Sequence, residues 1–230
     1  MTISLAFDVY GTMIDTTGVV AALEKLVGDQ ANPVSQVWRE KQLEYSFRRG
    51  LMQNYQDFSV CTAQALEYAC LLFGITLTSN QKRALMEGYK ILPPHPDVEE
   101  GLSKLQSSGF RMFAFSNGLA DDVRSLLKNA DIEGYFEGIV STDAIKSYKP
   151  NPGVYAHFLR QSQSTGSEAW LISSNPFDVI GAISAGMRAA WVKRSPEAIF
   201  DPWGIEPTIT VDGILGLYKA LTGSGTQASL

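Results

Sequence analysis

From residue 97 onward the chain alternates short apolar runs with amphipathic stretches, a rhythm that few folds accommodate. The spacing of apolar residues predicts helices over 97–107, 119–130, 152–160, 177–185 and 212–221. Between them it predicts strands over 111–115, 136–140, 169–172 and 189–192. An earlier run, 3–7, has only one polar residue and reads as a strand buried on both faces. Strands joined through helices pair in parallel, which implies an α/β protein with a Rossmann-like, doubly wound sheet.

Residues 16–93 break the rhythm. They contain no convincing strand, and helical patterns fill 19–27, 34–51, 55–73 and 80–91. Asn32-Pro33 reads as a helix start and Gly74 as a stop, while Pro93, Pro94 and Pro96 punctuate the return. The expected organisation is a core of residues 1–15 and 94–230, with a helical cap of residues 16–93 inserted above the carboxyl ends of the strands. Residues 222–230 are rich in Gly, Ser and Thr and are expected to be a flexible tail.

Composition narrows the function classes. The chain has 230 residues, 45% of them hydrophobic, enough for one core and a small second unit. A net charge of −5 argues against a nucleic-acid partner, though it leaves room for a local basic pocket. No run approaches the roughly 20 apolar residues that span a bilayer, and the N-terminus shows no basic-then-apolar signal. No membrane partner is expected, and a cytoplasmic protein is the simplest inference. Cys61 and Cys70 fall on the apolar pattern of one helix at a spacing that matches no metal site, so buried free thiols are expected.

The informative residues end the strands. Asp8 closes the first apolar run, and Gly11 permits a sharp turn just after it. Ser116-Asn117-Gly118 and Ser173-Ser174-Asn175 close two later runs, and Lys149 stands in a loop before a helix. In a parallel sheet these groups face one crevice. Each Ser or Asn alone is equally well a helix N-cap, but together with a carboxylate and an ammonium that explanation weakens. His95 and His157 fall among prolines and within a helix, and are expected to be ordinary surface or satisfied histidines. That leaves Asp8 as the nucleophile, kept ionised by Lys149, with Ser116 and the following helix N-terminus holding an anionic group.

The order FDVYGT, SNG, YKP and SSNPFD resembles the haloacid dehalogenase superfamily across nearly the whole chain, with the helical insert matching its cap. Most of that superfamily are magnesium phosphatases, with an acid two residues after the nucleophile and an acidic metal ligand further on. Here those positions hold Tyr10 and the Ser173-Ser174 pair, so a phosphatase is disfavoured. The sequence is more similar to the L-2-haloacid dehalogenases, including Trp38-Arg39-Glu40-Lys41-Gln42-Leu43-Glu44-Tyr45 in the cap.

That resemblance implies hydrolysis of small (S)-2-haloalkanoic acids or haloacetates, fluoroacetate among the candidates, with no metal or other cofactor. Asp8 would displace halide with inversion and form an ester that water then opens. Arg39 would stabilise the halide, Ser116 and Asn117 the substrate carboxylate, and Lys149 would pair with Asp178 while orienting Asp8. Ser173, Asn175 and Asp178 are all candidates for positioning the water. Thr12 and Tyr155 would support Asp8 and Lys149, with Tyr155 counted on the substrate side, although it reads equally well as a core aromatic. Tyr10, Leu43, Phe58 and Phe177 would form apolar walls, Phe177 replacing a Trp common in the family and Glu40 a Gln of some members. A homodimer is implied. A phosphatase of the same fold and a non-catalytic binder of small carboxylates remain the alternatives.

Overall fold

Residues apolar on both faces fix β1 (Ser4–Phe7) at the centre of the sheet, and the computed structural model, which describes residues 2–223, places it there. Four cap helices follow: α1 (Gly18–Val27), α2 (Ala31–Leu51), α3 (Phe58–Phe73) and α4 (Ser79–Gly88). The core resumes with α5 (Val98–Ser107), β2 (Arg111–Ser116), α6 (Ala120–Asn129) and β3 (Gly138–Ser141). It continues through α7 (Pro152–Ser162), β4 (Ala169–Ser173), α8 (Pro176–Ser184) and β5 (Arg188–Val192), and closes with β6 (Ile209–Val211) and α9 (Ile214–Thr222).

The strands run parallel in the order β3-β2-β1-β4-β5-β6. The winding direction reverses between β1 and β4, where such sheets open a ligand crevice beyond their carboxyl ends. Period-two alternation sorts the sheet's side chains onto two faces. Leu5 and Phe7 share one cluster with Leu102, Val123 and Leu217 from α5, α6 and α9. Ala6 shares the other with Val154 and Phe158 of α7 and Val179 of α8. The first cluster continues into the cap through Val19, Leu23, Val34 and Trp38, so core and cap share apolar packing. The chain crosses between them twice, side by side: Asp15 N donates to Pro93 O at 2.8 Å, and His95 N to Met13 O at 2.9 Å.

Differences from the expected elements have local causes. β6 escaped notice because its three residues, Ile209-Thr210-Val211, are too few to establish a period. Helix α2 begins at Ala31, not at the Asn32-Pro33 pair. Pro33 falls in the first turn, where its missing N–H would have had no helical partner. The helix expected over 80–91 stops at Gly88 and tightens into a 3₁₀ turn over Tyr89–Ile91. Its start is fixed by a capping box in which Thr78 and Gln81 bond reciprocally. Gly74 ends α3 with φ of +65°, and both cysteines are buried and free, as expected. Of the expected tail, Thr222 is still the last residue of α9, and residues 224–230 lie outside the described residues.

Candidate active site

Asp8 follows β1 and is anchored by its backbone, whose N–H donates to Ile172 O of β4 at 2.9 Å. Gly11 then turns with φ of +80°, and Thr12 comes back under the carboxylate. The two carboxylate oxygens are not equivalent. Oδ2 accepts from Thr12 Oγ1 at 2.8 Å, Asn175 Nδ2 at 2.8 Å and Ser173 Oγ at 3.2 Å. Among the described residues, Oδ1 accepts from Lys149 Nζ alone, at 3.2 Å.

Asn175 shows why the helix-cap explanation fails. It occupies the N-cap position of α8, yet its side chain caps nothing in that helix and turns to Asp8 instead. Ser173 receives the backbone N–H of Asn175 at 3.1 Å while its hydroxyl proton points to Asp8. Thr12 accepts from Ser174 N at 2.8 Å, so its own proton is left for Asp8.

Lys149 is 2% exposed, and its three donors have three acceptors: Asp178 Oδ2 at 2.8 Å, Phe115 O at 2.9 Å and Asp8 Oδ1. Burial opposes its charge, but the carboxylates of Asp178 and Asp8 outweigh it and raise the ammonium above its ordinary pKa. Asp178 is fully buried and takes its second hydrogen bond from Tyr155 Oη, at 2.8 Å. Burial pushes the Asp178 carboxyl up, against the pull of Lys149.

The pocket above Asp8 is lined by Tyr10, Arg39, Leu43, Phe58, Ser116, Asn117, Lys149, Asn175 and Phe177. Nearly every side chain expected at the site is therefore in its wall or one bond behind it. Arg39 comes down from α2, with Nη2 at 3.4 Å from Asn175 Oδ1 and Nη1 at 2.7 Å from Gln42 Oε1. Ser116 Oγ accepts from Gly118 N at 3.1 Å. Asn117 Oδ1 accepts from Lys149 N at 3.0 Å and Thr142 Oγ1 at 3.3 Å, which turns the amide NH₂ away from that loop. Phe177 packs edge-on to Phe47 at 5.0 Å.

Two expectations are corrected. Tyr155 does not reach the pocket: it is fully buried, and it supports Asp178, not the substrate side and not Lys149 directly. His95 is not a fully satisfied histidine, because its Nε2 is buried with no hydrogen-bond partner among the described residues, while burial and Arg194 lower its pKa. Asp178, a candidate for the water, has both oxygens engaged and is absent from the pocket wall.

Supports that went unnoticed include Gln42, Thr62 and Arg194. Gln42 is 2% exposed and donates to Thr62 Oγ1 at 2.6 Å, Thr62 in turn donating to Phe58 O at 2.9 Å. Three residues beyond Arg39 on one helix, Gln42 had a spacing signal that sequence alone did not weigh. Arg194 donates twice to Thr12 O, at 2.7 and 2.9 Å, and so steadies the turn after Asp8.

Magnesium, which the superfamily's phosphatases use, does not fit these residues. It prefers several hard oxygen ligands in an octahedron. The carboxylates of Asp8 and Asp178 both face the Lys149 ammonium, which already holds the place a cation would take between them. At the other candidate position, Ser174 Oγ donates to Gly11 O at 2.9 Å. Among the described residues no group of three or more His, Cys, Asp or Glu could hold a metal ion.

Known proteins are similar to this chain in sequence and fold. The haloacid dehalogenase-like hydrolase family matches residues 4–186. A haloacetate dehalogenase of Moraxella sp. (strain B) is 36% identical, over 90% of this chain and 92% of its own length. An (S)-2-haloacid dehalogenase of Pseudomonas putida is 34% identical, over 89% and 91%. The solved structure of the L-2-haloacid dehalogenase from Xanthobacter autotrophicus with chloropropionic acid covalently bound superposes with a TM-score of 0.88 at 29% identity. It covers 98% of this chain and is itself covered completely. Sequence, fold and full-length coverage agree, and the chain belongs to the L-2-haloacid dehalogenases among the haloacid dehalogenase-like hydrolases.

Proposed function

We propose that the chain hydrolyses (S)-2-haloalkanoic acids and haloacetates through an ester on Asp8. The asymmetric solvation of the Asp8 carboxylate carries this reading. Oδ2 is held by three donors, so Oδ1, with a single contact at 3.2 Å, has the lone pair free to attack C2 from the side opposite the halogen. The new C–O bond forms as the carbon–halogen bond breaks. The halide leaves with the bonding pair towards Arg39, and C2 inverts. Ser116, the Asn117 amide and the N-terminal end of α6 suit the substrate carboxylate.

In the ester, Oδ2 becomes the carbonyl oxygen. Thr12, Ser173 and Asn175 then form an oxyanion hole for the tetrahedral intermediate made when water attacks Cγ of Asp8. Collapse releases the 2-hydroxy acid with the former Oδ1 as its hydroxyl oxygen, which takes one proton of the water, while the other proton passes to solvent and the water oxygen stays on the Asp8 carboxylate. Tyr10 stands where the phosphatase branch keeps an acid. Burial, with Asp122 nearby, raises its pKa well above the ordinary phenol value, so it serves as a neutral wall.

The close walls around Asp8, from Tyr10, Leu43, Phe58 and Phe177, suit small substrates such as haloacetates, fluoroacetate included. The exposed Leu51, Met52, Leu71 and Leu72 of the cap support a homodimer, and two free buried thiols support a reducing, cytoplasmic setting. No helix among the described residues is long and apolar enough to cross a membrane.

The test is halide release from each enantiomer of 2-chloropropanoate in buffer containing EDTA. The expected result is release from the S enantiomer alone, and its loss in a folded Asp8→Asn protein. Equal release from both enantiomers, or ordinary activity of Asp8→Asn, overturns the mechanism.

A further inference from the structure

The space in front of Asp8 is about 20 Å³, little more than the roughly 10–15 Å³ that holds one water. A bound haloacid must therefore draw on adjoining space, and the more so the longer its C2 substituent. A second cavity of about 200 Å³ adjoins it, and the two share Tyr10, Arg39 and Phe58 as walls.

This chamber lies between the cap and the start of α6. Its sides are apolar and aromatic: Tyr10, Phe58, Met86, Tyr89 and Leu119. Tyr10 and Tyr89 meet edge-on, with ring centroids 6.2 Å apart. The polar atoms next to them are already used. Thr62 and Gln42 bond to each other, and Gln42 holds Arg39. Apart from Arg39 at the border with the Asp8 pocket, the charged residues, Glu87, Lys90 and Asp122, keep partly exposed side chains, Lys90 pairing with Glu87 and reaching Asp122 of the core at 3.7 Å. The chamber is thus mainly apolar away from Arg39 and charged towards solvent. Burial raises the Tyr89 phenol to about 12, so its wall stays neutral at any working pH.

We infer that this chamber is a subsite for an unbranched alkyl chain on C2, which would extend the substrate range of the dehalogenase beyond haloacetates and 2-halopropanoates. The inference rests on the proposed dehalogenase activity. The chain passes Tyr10 and Phe58, beside the halide position at Arg39, and its end lies among Met86, Tyr89 and Leu119. A passage for departing halide or entering water is the competing use, because Arg39 borders both spaces. Chain length separates the two: a subsite discriminates among substrates, whereas a passage affects all of them alike.

The experiment compares kcat/KM for chloroacetate, (S)-2-chloropropanoate and (S)-2-chlorohexanoate in the wild type, Ser59→Trp and Met86→Phe. Ser59 is exposed, on the first turn of α3, and borders the chamber, so an indole there fills space without disturbing the core. The wild type is expected to turn over the hexanoate within about tenfold of the propanoate. Ser59→Trp should lower the hexanoate value by at least about tenfold, mainly through KM, with chloroacetate within about twofold, as expected for contacts worth one or more methylenes. Chloroacetate turnover also reports an intact fold, and Met86→Phe repeats the test from the α4 side. The inference is overturned if the wild type uses chloroacetate but not the hexanoate, or if both fillers slow the two substrates equally. If no haloacid releases halide, the dehalogenase reading itself has failed, and this one falls with it.

Discussion

Replacing Lys149 by Met tests the ionic framework of the site, because this one ammonium offsets two carboxylates. Lys149 is 2% exposed and Asp178 fully buried, so solvent screens neither. Removing one member of a buried ion pair commonly costs about 3–5 kcal/mol, most of it the penalty of the charge left behind. At a slope of roughly 3 kcal/mol per molar urea, Lys149→Met should lower the midpoint by about 1 to 1.7 M. Asp178, already pushed up by burial, then takes up a proton, so the deficit should shrink as the pH falls. Lys149→Met/Asp178→Asn removes both charges and keeps the Tyr155 contact. It should lie within about 2 kcal/mol of the wild type, a coupling energy of at least about 2 kcal/mol relative to the summed single variants. Activity should not follow stability, because Asp8 loses the only donor to Oδ1 in both Lys149→Met proteins. Urea titrations of the four proteins, paired with halide release, make the measurement. Additive stabilities, or a double variant that regains turnover, would refute the argument.

Other consequences are open to direct measurement. Gln42→Met removes the shorter of the two side-chain bonds on Arg39, so chloride release should slow by about tenfold. Bromide, the better leaving group, should be less affected, and a uniform loss for both would assign Gln42 to packing alone. With enzyme in excess in ¹⁸O-water, the first-turnover 2-hydroxy acid should carry unlabelled oxygen at C2, and label appearing there at once would exclude the ester. Burial alone would raise Asp97, but Arg194 and the Ile214 N–H outweigh it and hold its carboxyl below the usual range. Its folded pKa is therefore below the unfolded value of about 3.9, and the stability it adds is complete above that value and lost as pH falls through the folded one. Asp97→Asn should be less stable than the wild type by a constant amount from pH 7 to 5, of about 1 kcal/mol for this partly exposed pair, with the gap closing below pH 4. A gap that persists at pH 3 would separate the effect from ionisation.

What the sequence discloses here, and what it hides, divides along one physical line. The α/β core is legible because burial on both faces forces β1, β2 and β4 to be continuous apolar runs, and because each run must end where the carboxyl edge meets solvent. Asp8, Ser116, Lys149 and Asn175 stand out for the same reason, as polar residues interrupting a pattern that has no structural need of them. Gln42, Thr62 and Tyr155 had no such contrast. Each lies on a helix whose periodicity tolerates its residue type, and the property that matters is the partner it meets across the fold: Arg39 for Gln42, Asp178 for Tyr155. β6 fails for want of length, and His95 because no spacing reports whether a buried nitrogen finds a partner. The residues proposed to touch the substrate are legible from sequence, as are some of their supports, while Gln42, Thr62 and Arg194, found only in three dimensions, hold that set in place. Substitutions in the second set should therefore change leaving-group sensitivity before they abolish turnover, as predicted for Gln42→Met, whereas Lys149→Met strikes the first set and should cost activity and stability together.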